Sequence, residues 1–468
     1  MSAPVIMWFR QDLRMSDHPA LSAAALAGAV IPLFILDDET PGDWAWGGAS
    51  RWWLHRSLDA LGKDVPLVLR RGRSDVVLAE VLRDSGAGAV YFTRDYAPWA
   101  GGLEHRVKTV CEAAGADCHR YGGYLLHEPE SIRTGAGEFF KVYTPFSRAC
   151  QAKGSPRTAK GRARATWAAH RLERPPLASL SLLPTRPNWA SGFESAWQPG
   201  EDGARAALGT FLDEGLKGYA EGRDRLDQQH TSRLSPHLHW GEISPHQVWQ
   251  ATEQAMAAAG GVLDHDGGKF LKEVLWREFA NHLVHHVPSF PEQPFRPEFA
   301  DFPWQANAAA LRRWQRGETG YPVVDAGMRE LWATGVMHNR ARMITASFLI
   351  KHLLQPWQDG ERWFWDTLVD ADIGNNAASW QWVAGCGADA APYFRVFNPF
   401  LQGEKFDPHG TYVKRWIPEL HDVPAELIHK PWEMSAPPKG YPPPMVDHAR
   451  ARARALDSFS AIKKETAA

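Results

Sequence analysis

The sequence predicts an α/β domain followed by an all-α domain, and three observations carry that reading. Up to about residue 125, short apolar runs alternate with segments of helical period. From about residue 203 onward strand signals vanish and helical periods dominate. Between them lies a stretch that is first basic and then proline-rich. The 468 residues also exceed what one typical core accommodates.

In the first half, Val5 to Phe9, Val30 to Leu36, Leu67 to Leu69 and Ala89 to Phe92 read as buried strands. Pro19 to Ala27, Arg51 to Leu61, Ser74 to Arg83 and Gly102 to Ala114 read as the helices between them. Alternating βα units imply a doubly wound parallel sheet of Rossmann-like type. The first βα turn reads WFRQDLR rather than GxGxxG, so it does not support a dinucleotide there. Residues 148–174 carry eight Lys or Arg and one Glu, and residues 175–200 hold five prolines. That composition predicts a connection crossing the surface, which divides the chain into an α/β domain at 1–130, a linker at 131–202 and a helical domain at 203–468.

At 44% hydrophobic and 23% charged residues, the composition is that of a soluble globular chain. No run is long enough to span a bilayer, and MSAPVIMWFR lacks the pattern of a signal peptide. Four scattered cysteines without CxxC or a Cys/His cluster disfavour a structural zinc site and a disulfide framework. A cytoplasmic location is expected. The net charge of −2 means that a surface for nucleic acid would have to be local. The unusual count is 22 tryptophans, which suits either a Trp-rich core or flat ligands and electron traffic.

Four segments carry residues with chemical potential. Thr231-Ser-Arg-Leu-Ser235 puts hydroxyls before a helix-compatible run, where they suit an anionic group or an ordinary N-cap. In KEVLWREFANHL, Glu273, Trp276 and Arg277 share one helical face, as a stacking site with polar edges or as a salt-bridged patch. In GVMHNRARM, Asn339 and Met343 lie one turn apart around Arg340 and Arg342, which suits base edges and phosphates or a solvated face. In VDADIGNNAASWQWVAGCGADAAPYFRVFNP, the spacing of Asp372, Asn376 and Trp380 predicts one helical face, with Asp370 close by and Trp382 pointing elsewhere. No metal-ligand spacing accompanies these carboxylates, so hydrogen bonding to a polar ring system or ribityl chain fits them better than metal or hydrolytic chemistry.

Taken in order, WFRQDLR, TSRLSPHL, WREF, TGYPVVDAGMREL, MHNRARM and the long C-terminal block resemble the photolyase/cryptochrome family over nearly the whole chain. The resemblance implies a helical domain that binds FAD. It assigns the cofactor to Tyr219, Thr231, Ser232, Arg233, Leu234, Ser235, Arg277, Arg342, Asp370, Ala371, Asp372 and Asn376, with Arg342 paired to Asp370 and Asn376 facing flavin N5. Plant cryptochromes place Asp at that last position, and a neutral Asn makes reduced flavin easier to maintain. The resemblance further assigns Glu273, Trp276, Asn339, Arg340, Met343 and Trp382 to the lesion and Arg223 to a phosphate. Trp380, Trp357 and Trp304 match the family's electron relay.

The implied activity is light-driven repair of cyclobutane pyrimidine dimers in UV-damaged DNA, by a monomer that needs no metal or membrane. Glu273, Asn376 and the three relay tryptophans would serve the chemistry. Asn339 in MHNR argues against the (6-4) branch, which carries a histidine pair around its lesion. An antenna chromophore is expected in the α/β domain near Phe34, Arg51, Asp95 and Glu104, with 5,10-methenyltetrahydrofolate first and 8-hydroxy-5-deazaflavin second. The nearest rival is a cryptochrome-type photoreceptor. A light-independent flavin oxidoreductase is a further one, but no GxGxxG follows a strand to supply its nicotinamide site.

Overall fold

The computed structural model describes residues 3–390 and 394–465. Residues 391–393, which fall in the last sequence motif, lie outside the described residues. Five strands form one sheet: β1 (Val5–Phe9), β2 (Val30–Leu36), β3 (Val68–Arg71), β4 (Ala89–Thr93) and β5 (Asp117–Tyr121). Their order is β3-β2-β1-β4-β5, and every pairing is parallel, with Val5 opposite Val30 on one side and Ala89 on the other. Each residue of β1, β2 and β4 is buried, as a parallel sheet covered on both faces requires. The connecting helices are α1 (Pro19–Ala27), α2 (Gly48–Gly62), α3 (Ser74–Ser85) and α4 (Ala100–Ala113). Helix α1 starts where its sequence dictates: Pro19 opens it, and His18 Nδ1 accepts the amide of Leu21 at 3.2 Å.

The sequence reading anticipated four of these strands and missed β5. DCHRY has no apolar run because β5 is an edge strand, where exposed polar side chains discourage further pairing.

The basic stretch is docked rather than loose. Val30 N donates to Thr166 O at 2.8 Å, and Ala168 N donates to Val30 O at 2.9 Å. Arg157 pairs with the buried Asp17 and Arg162 with Asp64. Asp17 also accepts the backbone N–H of Lys160 at 2.8 Å and the hydroxyl of Ser244 at 2.5 Å. Two of its arginines thus meet acids of the body that it crosses.

By packing, the chain forms two compact units that do not coincide with the three sequence segments. Unit 1 comprises Met1–Lys217, Ser232–Pro288 and Val369–Asp372. It therefore holds the sheet, the docked stretch and the 23-residue helix Asp264–His286. Unit 2 comprises Gly218–Thr231, Ser289–Leu368 and Ile373–Ala468. It contains the helices Pro322–Thr334, Asn339–Ser347, Trp357–Thr367 and Ile373–Ala384 around a core rich in large aromatics. Pro322–Thr334 ends at Gly335 with φ 71°, the left-handed conformation that glycine adopts without strain.

Candidate functional site

In unit 1, helix Asp264–His286 carries Glu273, Trp276 and Arg277 as the spacing predicts. Arg277 is buried and turns its guanidinium onto Tyr124. Its Nη1 donates to Tyr124 O at 2.9 Å, and its Cζ lies 4.1 Å from that ring's centre. The Tyr124 hydroxyl donates to Asp372 Oδ2 at 2.8 Å, and His239 Nδ1 lies 3.8 Å from the same oxygen. Glu278, next to Arg277, accepts the amides of Leu126 and His127, while burial pushes its carboxyl up to about 7. Asp370 is buried like Asp372. His239 Nε2 is buried without a hydrogen-bond partner among the described residues, so this corner suits a polar cofactor that would supply one.

Trp276 has one face covered by Tyr143, with ring centres 3.6 Å apart and planes 6° from parallel. Tyr143 is itself held by its hydroxyl, which donates to Lys272 O at 2.6 Å. Glu273 pairs with Lys269 one turn away at 3.4 Å. Ser235 opens a short helix, Ser235–His239, whose N-cap Leu234 provides no side-chain bond. Ser232 Oγ accepts from Leu234 N at 3.4 Å. Arg233 adopts φ 54° and lies over Trp197, donating to Ala196 O at 2.7 Å.

The spacing rule that placed Asp372 on a helical face with Asn376 and Trp380 is corrected. The helix is Ile373–Ala384, and Asp370, Ala371 and Asp372 lie in the turn before it. Aspartates compete with helical hydrogen bonding and favour such positions over helix interiors.

In unit 2, that helix presents Asn376, Trp380 and Trp382. Asn376 Nδ2 donates to Glu361 O at 3.0 Å, which fixes the amide and leaves its Oδ1 as the acceptor end. The Glu361 carboxyl is buried, its Oε1 has no hydrogen-bond partner among the described residues, and burial raises it well above the usual carboxylate range. Trp380 meets Phe364 edge-on at 5.0 Å and Trp314 at 6.3 Å. It also presses on Gly360, where an added Cβ would stand only 2.1 Å from Cη2. Gly360 is three residues beyond the buried Trp357, the first residue of helix Trp357–Thr367. Trp304 packs on Phe302 at 4.3 Å, and its strand of chain is pinned by Gln305 N to Leu354 O at 2.7 Å. Trp382 is half-buried.

Asn339 opens its helix behind the N-cap His338, whose Nδ1 accepts from Arg340 N at 3.1 Å. Burial lowers that imidazole to about 4, so it stays a neutral acceptor. Asn339 is exposed and lies over Met343, with Nδ2 to Sδ at 4.0 Å. Arg340 pairs with Asp224 at 2.6 Å, and Arg223 lies 4.0 Å from the same carboxylate and 5.6 Å over Tyr219. Arg342 Nε donates to Met337 O at 2.8 Å. Thr231 closes the first segment of this unit.

In unit 1 the expected antenna residues are engaged near the ends of the strands. Asp95 and Glu104 both pair with Arg10, Arg51 pairs with Asp38, and Phe34 is buried in β2. A cavity of about 490 Å³ lies beside other side chains, chiefly Glu39, Arg73, Trp99 and Arg106. Sequence reasoning missed Tyr124, Tyr143, His239, Glu278 and Glu361. Their partners lie far off in sequence, as Tyr143 does from Trp276, so no local period announces them. Among the described residues no group of three or more potential metal ligands is gathered, and no helix is long and apolar enough to cross a membrane.

The chain resembles known proteins in sequence and fold. Residues 5–165 match the family model for DNA photolyase, and residues 270–461 match that for the FAD binding domain of DNA photolyase. The chain is 45% identical to the deoxyribodipyrimidine photo-lyase of Agrobacterium fabrum, covering 99% of both chains. Cryptochrome-2 of Arabidopsis thaliana is 37% identical over 92% of this chain and 73% of its own. The crystal structure of a class III photolyase from Agrobacterium tumefaciens superposes with a TM-score of 0.94 at 45% identity, covering 99% of this chain and 98% of that one. A parallel sheet, a buried carboxylate corner and an indole-lined helical unit, matched at both ends of the chain by these models, place this protein in the photolyase/cryptochrome family.

Proposed function

We propose that this chain repairs cyclobutane pyrimidine dimers in DNA under blue light, and that Asn376 is the observation that carries this reading over a signalling one. Its neutral amide, oriented by the Glu361 carbonyl, offers an acceptor and no acidic proton to a flavin at that position. Reduced FAD, when bound, supplies the electron that light drives into the dimer. Asp372, Asp370 and Arg277 hold the cofactor with their charges and hydrogen bonds, beside the unsatisfied His239 Nε2.

The protein's part in repair is to bind, orient and exclude water. A dimer leaves the duplex at a cost of about a few kcal/mol, less than an intact pair requires. Trp276, stiffened by Tyr143, offers it a flat apolar surface, and Trp382 offers a second. Glu273 and Asn339 bind polar base edges, Met343 fills irregular space, and Arg223 and Arg340 face the phosphates. Trp380, Trp357 and Trp304 pass electrons inward. The cavity lined by Glu39, Arg73, Trp99 and Arg106 suits a second chromophore, 5,10-methenyltetrahydrofolate before 8-hydroxy-5-deazaflavin, which near-UV and violet absorption of the native protein distinguishes. The protein acts as a cytoplasmic monomer.

The test is illumination of a thymine-dimer oligonucleotide with purified, reduced protein. Light-dependent recovery of intact thymines is expected. Flavin photochemistry without recovery would overturn the reading and assign the chain to the signalling branch.

A further inference from the structure

Two of the buried phenols of unit 1 each end on a carboxylate. Tyr124 donates to Asp372 Oδ2 at 2.8 Å, while Tyr96 donates to Glu128 at 2.9 Å to both oxygens. Their rings lie 6.2 Å apart and 27° from parallel, and with Leu125 they form a small core cluster of their own. Tyr124 is 7% exposed and Tyr96 is 2% exposed, whereas the Glu128 side chain is 39% exposed and is held by Arg94 at 2.7 Å. The series thus runs from a buried aspartate, through two stacked phenols, to a glutamate in contact with water.

A buried phenol resists losing an electron because its radical cation is a strong acid with nowhere to send the proton. A carboxylate already accepting the O–H removes that obstacle. Two such pairs in series, with rings close enough for an electron to pass, are more than packing alone requires. Burial also keeps both phenols protonated, since it raises them well above the ordinary value.

We propose that Tyr124 and Tyr96 form a proton-coupled electron relay that reduces photoexcited, oxidised flavin, separate from the tryptophans of unit 2. The inference rests on the reading that FAD lies against Asp372. In the first step the Tyr124 O–H bond breaks. One electron passes to the photoexcited flavin and the proton to Asp372, leaving a neutral phenoxyl and a carboxylic acid. In the second step Tyr96 returns an electron to Tyr124, Asp372 returns its proton there, and the Tyr96 proton passes to Glu128 and on to water. One electron has then entered the flavin, and one hydrogen atom has left Tyr96.

The test uses the full chain with oxidised FAD, excited by a flash and followed by transient absorption and electron paramagnetic resonance. With Trp380→Phe blocking the indole route, a neutral phenoxyl signal is expected. Ring-deuterated tyrosine should narrow that signal, and heavy water should slow its formation. Adding Tyr124→Phe should reduce its yield by at least an order of magnitude. Tyr96→Phe, which leaves the Asp372 contact intact, should shorten its lifetime because the hole stays beside the flavin. No phenoxyl in Trp380→Phe, or the same yield with and without Tyr124, would overturn the relay. If Tyr124→Phe loses FAD, an unchanged lifetime in Tyr96→Phe overturns it instead. Dimer repair by chemically reduced protein, measured on the same preparations, separates the two readings. Repair without phenoxyl sinks the relay alone, and a chain that neither holds FAD nor repairs sinks both.

Discussion

Tyr124 and Tyr96 in unit 1 each hand a hydrogen bond to a carboxylate, whereas Trp380 in unit 2 is packed edge-on against other aromatic rings. Among its neighbours are Phe364, Trp314 and the bare backbone of Gly360. An indole can lose an electron and keep its proton for a time, so it tolerates such surroundings. A phenol cannot, and needs a base at its hydroxyl. On the proposed reading, the indoles of unit 2 would pass electrons alone, and the phenols of unit 1 electrons tied to protons. Trp276 marks the limit of this contrast, because it lies in unit 1 yet is stacked on Tyr143 with no carboxylate at its ring in that stack.

The contrast breaks most visibly at Trp380. Trp380→Phe should lower the yield of flavin photoreduction severalfold, leaving the part carried by Tyr124, read as the rate of bleaching under continuous blue light with a reductant present. Repair by chemically reduced protein should fall far less. An equal loss of both would remove the distinction between relay and repair.

The protonic character of unit 1 is tested at Glu278. Its carboxyl ionises near 4.5 when unfolded but holds its proton up to about 7 when folded, because burial disfavours the charge. Its contribution to stability is therefore fully present below the ordinary value and is lost as pH rises to about 7. The loss amounts to about 3 kcal/mol from the shift alone. Denaturant midpoints between those pH values should fall in the parent protein and stay flat in Glu278→Gln.

Trp276→Ala should weaken binding of a dimer oligonucleotide by about 1–3 kcal/mol, the usual worth of one base-stacking aromatic, with photoreduction retained. Titration of fluorescent lesion DNA reads the first effect. Loss of photoreduction would instead make this indole a conductor. The smallest change is expected from Tyr143→Phe, which removes one hydrogen bond to Lys272 O and keeps the stacked ring. A stability loss of about 1 kcal/mol in thermal unfolding is expected.

The alternation of apolar runs made four strands and the parallel sheet legible, because a strand buried on both faces leaves a continuous apolar word. Strand β5 left none, since an edge strand is polar by need. The helix carrying Glu273, Trp276 and Arg277 was legible from spacing, and the start of Ile373–Ala384 was misread by one residue because Asp372 precedes it. The supports of the site were hidden for another reason. Tyr124 meets Asp372 across 248 residues, a pairing written only in the folded chain.

That separation also sets a schedule for biosynthesis. A ribosome adding roughly 5–20 residues per second needs roughly 10–50 s to travel from Tyr124 to Asp372. The sheet can assemble early in that interval, but the phenol remains without its carboxylate. The tetrapeptide Val369–Asp372 is the last piece of unit 1 to emerge. A nascent chain stalled before residue 372 would thus carry a nearly finished unit 1 in which the Tyr124 hydroxyl still lacks its carboxylate.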